Sequence, residues 1–339
     1  MRPQTILNSQ GKPIVLNERE QRVAGINQRV VNALGYEVDI TTLTTIMKKI
    51  TEQKFFELAP ADYLPVRVGE GAWSSNLLTY RSFAIADDFT NGMINTGGNN
   101  ARLAQADAGV DQLTIQVKNW AKSIGWSLFD LQLAAKSGNW DLVTAKERSR
   151  KKNWDLGIQK VAFLGVAGDS TVLGLYNQAG ITDNVTLIVK AISTMTPAEL
   201  KVFLAGLVDA YRANAVRTAW PTHFIIPESD YLGLASPASS DFPIRSTLDL
   251  MEETLRVMTK NPGFKILPNA YGDSANNDLG VQRYVMLNYE EESLRMDIPV
   301  DYTNTLANSI DNFSYQNVGY GQFTGVLAYR PLELLYFSY

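Results

Sequence analysis

The sequence predicts an α+β fold, and three observations carry that reading. A capping sequence, Thr196-Pro197-Ala198-Glu199, opens a helix whose apolar stripe is Leu200, Phe203, Leu204, Leu207, Val208 and Tyr211. Leu113, Ile115 and Val117 alternate with Thr114, Gln116 and Lys118, the two-residue period of a strand with one apolar face. The last 60 residues carry four strand-length apolar runs, at 282–288, 293–300, 325–330 and 333–339. With 339 residues, 45% of them apolar, the chain has material for one large domain or two ordinary ones around a true core.

In chain order, residues 1–62 form a polar entry segment. Within it Leu43, Ile46, Met47 and Ile50 predict a helix over 40–56, and Pro60 and Pro65 then break the pattern. "LLTYRSFAI" (77–85) is rich in strand-forming types and pairs naturally with the alternating segment at 113–117. Between them lies "DDFTNGMINTGGNNARLAQADAG" (87–109), rich in Gly, Asn and Ala, whose few apolar anchors are Phe89, Met93, Ile94 and Leu103. A connection this long without a core is uncommon in a compact domain. It reads either as a surface insertion or as an arm that becomes ordered against a neighbouring subunit.

Two helices follow. The first, over 127–136, stops at Ser137-Gly138-Asn139. The second runs over 140–164, about 36 Å at 1.5 Å per residue. Its apolar anchors sit at the ends: Leu142 and Val143 at one, Trp154, Ile158, Val161 and Phe163 at the other. Its centre carries Lys146, Arg148, Arg150, Lys151 and Lys152 against Glu147 alone. A helix that is polar all round through its centre bridges between bodies or lies across a surface. A solvated surface helix of an ordinary enzyme is the plainer alternative. Further on, "THFIIP" (222–227) reads as a buried strand closed by Pro, and Ser246 opens a helix with Leu248, Met251, Leu255 and Met258 on one side.

Familiar catalytic patterns are missing. There is no cysteine, so disulfides, thiolate nucleophiles and cysteine-based zinc sites are excluded. The single histidine, His223, lies in an apolar strand, where a hydrogen-bonded core role fits better than a catalytic one. No GxSxG accompanies it. "GVAGDST" (165–171) lacks the Lys and the spacing of a phosphate loop, and "GEGAW" (69–73) and "GYGQFTG" (319–325) miss GxGxxG. "DSANND" (273–278) misses the EF-hand spacing, and Glu290-Glu291-Glu292 reads as an exposed charge run. No cofactor or metal is called for. Net charge of −4 argues against a protein that wraps nucleic acid by a large positive excess. The N-terminus has no apolar signal-peptide core and no window is long and apolar enough to span a bilayer, so a soluble chain made in the cytoplasm is expected.

The order of elements, a polar entry, a β arm with a long tip, a short helix, a long polar-centred helix, a mixed portion and a β-rich ending, resembles the major capsid proteins of tailed bacteriophages. These share the Hong Kong 97-type fold. "WSLFDLQLAAKSGNWDLVTAKERSRKKNWDLGIQKVAFLG" (126–165) resembles that family's short helix and spine helix, and "GLYNQAGI" (174–181) the turn that follows. "WPTHFIIPESDYLGLASP" (220–237) and "GVLAYRPLELLYF" (325–337) are similar to the strand–Pro–helix and the closing strand of its axial domain. The likeness runs from about residue 60 onward and is greatest to capsid-like proteins long described only as a domain of unknown function.

The resemblance implies an N-terminal arm at 1–62 and an extended β-hairpin loop at 63–118. It implies a peripheral domain from 119–164 and 291–321, and an axial domain from 165–290 and 322–339. It further implies self-assembly, through hexamers and pentamers, into an icosahedral shell around double-stranded DNA, assembled in the host cytoplasm and located in the virion. Portal, scaffold and decoration proteins are partners of the same kind of shell, packaged DNA is touched non-specifically, and no membrane is involved. Trp73, Tyr80, Phe83, Phe89 and Met93 then become inter-subunit contacts of the loop. The cations Lys146, Arg148, Arg150, Lys151 and Lys152 become a cluster facing neighbours or DNA. Two alternatives stay open on the sequence: an encapsulin-like nanocompartment shell, and a soluble α/β enzyme with a carboxylate-based site.

Overall fold

The computed structural model describes residues 5–7, 13–15, 54–85, 107–136, 141–236, 246–311 and 313–339. The helix expected over 40–56 falls almost wholly outside them. The chain divides into a small unit, residues 1–55 with 134–140, and a large one, residues 56–133 with 141–339. In the small unit β1 (Thr5–Leu7) pairs antiparallel with β2 (Pro13–Val15).

The large unit is built around a five-stranded sheet in the order β7-β16-β10-β8-β9. Its strands are β7 (Thr182–Asn184), β8 (His223–Pro227), β9 (Lys265–Asn269), β10 (Arg283–Leu287) and β16 (Leu334–Ser338). Both faces are covered, which is why three of these strands read as continuous apolar runs. Phe224, Ile226, Tyr284, Met286, Leu335 and Phe337 point to one face. There they meet α3 (Pro197–Asn214), α4 (Glu228–Ala235) and α5 (Thr247–Thr259) through residues such as Phe203, Leu207, Leu234 and Met251. Ile225, Val285, Leu287, Leu334 and Tyr336 point to the other face and join a second core with Tyr63, Leu64, Trp154, Ile158 and Phe163.

The helix starts behave as the sequence suggests. Thr196 and Glu199 form a reciprocal capping box on α3, and Ser246 caps α5 by accepting from Asp249 N. Buried Asp230 accepts from Ile192 N, Ser193 N and the Tyr284 hydroxyl, tying α4 to the sheet and to the turn at Ile192–Thr194.

A smaller sheet joins β3 (Val66–Val68), β11 (Leu294–Ile298) and β15 (Val326–Ala328), with β11 central. Another joins β12 (Val300–Asn304), β13 (Asn308–Ser309) and β14 (Ser314–Phe323), and β14 also pairs along its full ten residues with β6 (Lys118–Ser127). The arm is a ten-residue antiparallel hairpin of β4 (Asn76–Ile85) and β5 (Asp107–Gln116). One residue, Val117, separates β5 from β6, and its N–H donates to Ser75 O. The extended chain therefore passes from the arm into the β6–β14 ladder almost without interruption.

Helix α1 (Leu128–Lys136) follows β6, and α2 (Leu142–Leu164) crosses the β6–β14 ladder. Among the described residues no helix is long and apolar enough to cross a membrane.

Candidate assembly surfaces

Two features predicted from sequence define the surfaces to be tested: the polar-centred helix and the arm. The sequence predicted a helix start at Trp140; α2 begins at Leu142 because Asp141 caps it. The Asp141 carboxylate accepts from Thr144 N at 3.1 Å and from the Thr144 hydroxyl at 2.6 Å, and these bonds hold its pKa below the ordinary value. The other end stops at Gly165, whose φ of 72° is left-handed. There Asn177 Nδ2 donates to Leu164 O, while Asn177 Oδ1 accepts from Gly174 N. The "GLYN" turn thus closes the helix C-terminus.

Between these ends the helix buries a cation. Arg150 is only 2% exposed. Its guanidinium donates to Tyr302 Oη at 2.8 Å, Asn304 Oδ1 at 3.0 Å, Asn317 O at 3.0 Å and Asn317 Oδ1 at 2.9 Å. Asn317 Nδ2 in turn donates to Glu147 Oε1 at 2.7 Å, so the guanidinium is linked to an acidic side chain of the same helix through an amide. This corrects the expectation that Arg150 faces a neighbour or DNA. Those partners lie more than 150 residues away in sequence, on β12 and β14, and a longer bond of 3.3 Å reaches Lys122 O on β6.

The remaining cations divide. Lys146 Nζ donates to Gly125 O at 2.7 Å, and Lys152 is ion-paired with Glu57 of its own chain. Arg148 and Lys151 are exposed. The five therefore do not form one surface.

The close seat of α2 depends on β14. An added Cβ at Gly319 would lie 2.6 Å from Arg150 Nε, and one at Gly321 would lie 2.5 Å from the Trp154 ring. "GYGQF" is thus a helix-docking surface, its alternate glycines facing α2. The stretch misses GxGxxG, and that motif carries no information on this packing role. The two-residue spacing of the glycines within a strand was the available signal.

On the arm, Trp73 is 70% and Tyr80 66% exposed, joined by Leu78 and Val110. Phe83 lies in β4, while Phe89 and Met93 lie outside the described residues. The segments weighed as catalytic have structural settings. His223 is buried, its ring 4.9 Å from that of Tyr289, and burial lowers its pKa to about 4. "GVAGDST" is a turn held by Asp169, which accepts from Thr171 and pairs with Lys118 at 2.8 Å. Those bonds lower the Asp169 pKa to about 2. In the acidic run Glu292 pairs with Arg330 and Glu291 lies 3.7 Å from Arg67. Among the described residues no group of three or more His, Asp or Glu side chains is placed to hold a metal.

The model of the Major capsid protein family matches residues 93–339. The chain belongs to that family. No curated protein sequence matches it. The capsid protein is similar in structure to the capsid of Myoviridae phage XM1, with a TM-score of 0.71 at 16% identity, covering 90% of this chain and 99% of that one. A capsid chain of the native GTA particle gives 0.56 at 12% identity, covering 90% and 99%. Mycobacterium phage Che8 gives 0.54 at 12%, covering 87% and 96%. The fold is the Hong Kong 97-type capsid fold. The protein is a structural component of an icosahedral capsid shell built from copies of itself, and its place is the virion.

Proposed function

We propose that this capsid protein forms hexamers and pentamers that close around double-stranded phage DNA, and that assembly takes place in the host cytoplasm. In this reading residues 63–118 are an extended loop laid over an adjacent subunit, and residues 1–62 an arm reaching another. Residues 119–164 with 291–321 form the peripheral domain, and 165–290 with 322–339 the axial domain. The observation that carries the reading is the arm: a two-stranded hairpin presenting Leu78, Tyr80 and Val110 to solvent, with exposed Trp73 just ahead of it in the chain. Isolated hairpins are marginal in water, and exposed apolar area of this kind marks an interaction surface.

The magnitudes allow it. Burying about 400 Å² of apolar arm surface contributes roughly 10 kcal/mol at about 25 cal/mol per Å². Ordering costs several kcal/mol of that. A subunit held by several neighbours makes its later contacts at high effective concentration, so individually weak contacts suffice. Closure requires heterologous contacts whose rotation closes instead of running on as a filament.

Phe83, Phe89 and Met93 are proposed to join Trp73 and Tyr80 in the neighbour contact. Lys146, Arg148, Lys151 and Lys152 are proposed to divide between neighbours and non-specific DNA contact. Portal, scaffold and decoration proteins are proposed as further partners. Expression with the neighbouring genes, followed by nuclease treatment and extraction of protected nucleic acid, tests the DNA content. Protected double-stranded DNA is expected; shells that contain only protein cargo would contradict it.

A further inference from the structure

The arm is tied to the body at its root and again further out. At the root Trp73 N donates to Gln322 Oε1 at 2.8 Å, and Val117 N donates to Ser75 O at 3.0 Å just before β6 enters its ladder with β14. Beyond the root β4 pairs with β5 alone, so no backbone ladder fixes the direction in which the hairpin leaves. The outer tie is Thr79, the fourth residue of β4, about 10 Å along the strand at roughly 3.3 Å per residue. Its side chain lies half-buried between the exposed Leu78 and Tyr80 and is hydrogen-bonded to the hydroxyl of Tyr329.

Tyr329 is itself held firmly. It is 6% exposed, and its N–H donates to Ser293 O at 2.9 Å. Its hydroxyl accepts from Arg295 Nη2 at 2.7 Å, and the guanidinium also lies over its ring, 4.9 Å from the centroid. Arg295 is held in turn by the buried carboxylate of Asp297, 2.9 Å from its Nε. Asp297 sits on the central strand β11, where its N–H donates to Thr324 Oγ1 at 3.1 Å and its carbonyl oxygen accepts from Thr324 N at 3.0 Å. A buried ion pair adds little stability, and specifying one arrangement is its best-attested use. The relay Thr79–Tyr329–Arg295–Asp297 carries that specification from β11 to the arm.

We propose that Tyr329 and Arg295 are positioning residues that set the angle at which the arm leaves the body, and with it the curvature of the shell. The angle is a property of the single subunit; its effect on curvature rests on the assembly reading above. Two points of support fix a direction where one leaves a pivot. From Thr79 to Ile85 the strand runs about 20 Å further, so a swing of about 10° at Thr79 carries its end about 3–4 Å. Interface cores pack as closely as protein interiors, and a shift of that size exceeds what such packing tolerates.

Tyr329→Phe removes the hydroxyl and leaves the ring under Arg295. The polypeptide has no cysteine, so Val110→Cys on β5 and Val202→Cys on α3, both exposed, can be nitroxide-labelled selectively and their separation read by pulsed dipolar spectroscopy on dilute full-length subunits. One narrow distance is expected. Tyr329→Phe and Thr79→Val are each expected to widen it at least twofold, while Thr79→Ser keeps it narrow. The double variant should be no wider than either single one, because both remove the same bond. Shells are then assembled from the same variants without the labelling cysteines. Mixed or irregular diameters are expected from Tyr329→Phe and Thr79→Val, and uniform ones from Thr79→Ser. An unchanged width in both single variants, or uniform shells from both, would overturn the proposal. If the unaltered chain forms no shells, the assembly reading fails, and the distance widths still decide whether the relay sets the angle.

Discussion

Arg150 is joined twice to Asn317, through the backbone oxygen at 3.0 Å and the side-chain oxygen at 2.9 Å. That double link fastens the middle of α2 to β14 at a point where the helix offers no large apolar side chain. A buried cation held only by neutral oxygens leaves those oxygens stranded when it is removed. Arg150→Ala is expected to destabilise the unassembled subunit by about 3–5 kcal/mol, read as a fall in denaturant midpoint. Arg150→Lys should recover little, because an ammonium cannot reproduce the planar fork that reaches Tyr302, Asn304 and Asn317 together.

The glycines of β14 make a paired test. Gly321→Ala drives a methyl to 2.5 Å from the Trp154 ring, and overpacking of this kind costs about 1–3 kcal/mol. Gly157, on the exposed side of α2, has nothing within 4 Å of its added Cβ. Gly157→Ala is therefore expected to stabilise by about 0.5–1 kcal/mol. Thermal melts of the two variants should move in opposite directions.

His223 imposes a pH dependence. Burial, with a smaller contribution from Lys265, holds its pKa to about 4, against about 6.5 when unfolded. Between those values the unfolded chain binds a proton that the folded chain refuses, so stability falls as pH drops from about 6.5 to about 4. Relative to His223→Gln, the wild-type subunit is expected to lose stability between pH 7 and pH 4.5. A constant difference between the two across that range would count against the assignment.

The arm is expected to matter for assembly and not for folding. Deleting residues 87–109 removes the tip and the start of β5 and leaves both hydrophobic cores intact. A melting temperature within a few degrees of wild type is expected, together with loss of regular shells. Normal shells from the deletion would remove the arm from the mechanism.

Much of this architecture was legible because local chemistry and final structure agree. The capping box at Thr196, the cap at Ser246, the apolar runs that became β8, β10 and β16, and the buried setting of His223 all follow from short-range rules. The ladder of β6 and β14 did not stand out. Lys118–Ser127 mixes Lys, Asn and Ser with Trp and Ile on a strand that is largely exposed, and β14 alternates glycines where a core strand would show side chains. The centre of α2 misled for the same reason. Its polarity correctly signalled the missing apolar core, but the oxygens that bury Arg150 come from Tyr302, Asn304 and Asn317, and no local pattern joins them to it. The bond from Trp73 N to Gln322 Oε1 was equally hidden, since the two residues meet only in the fold.

The most direct test of the whole account is the assembly state of the full chain, expressed alone or with its neighbouring genes, by sedimentation and negative-stain electron microscopy. Uniform closed shells tens of nanometres across are the expected result. A chain that sediments only as a compact monomer under every assembly condition would contradict it.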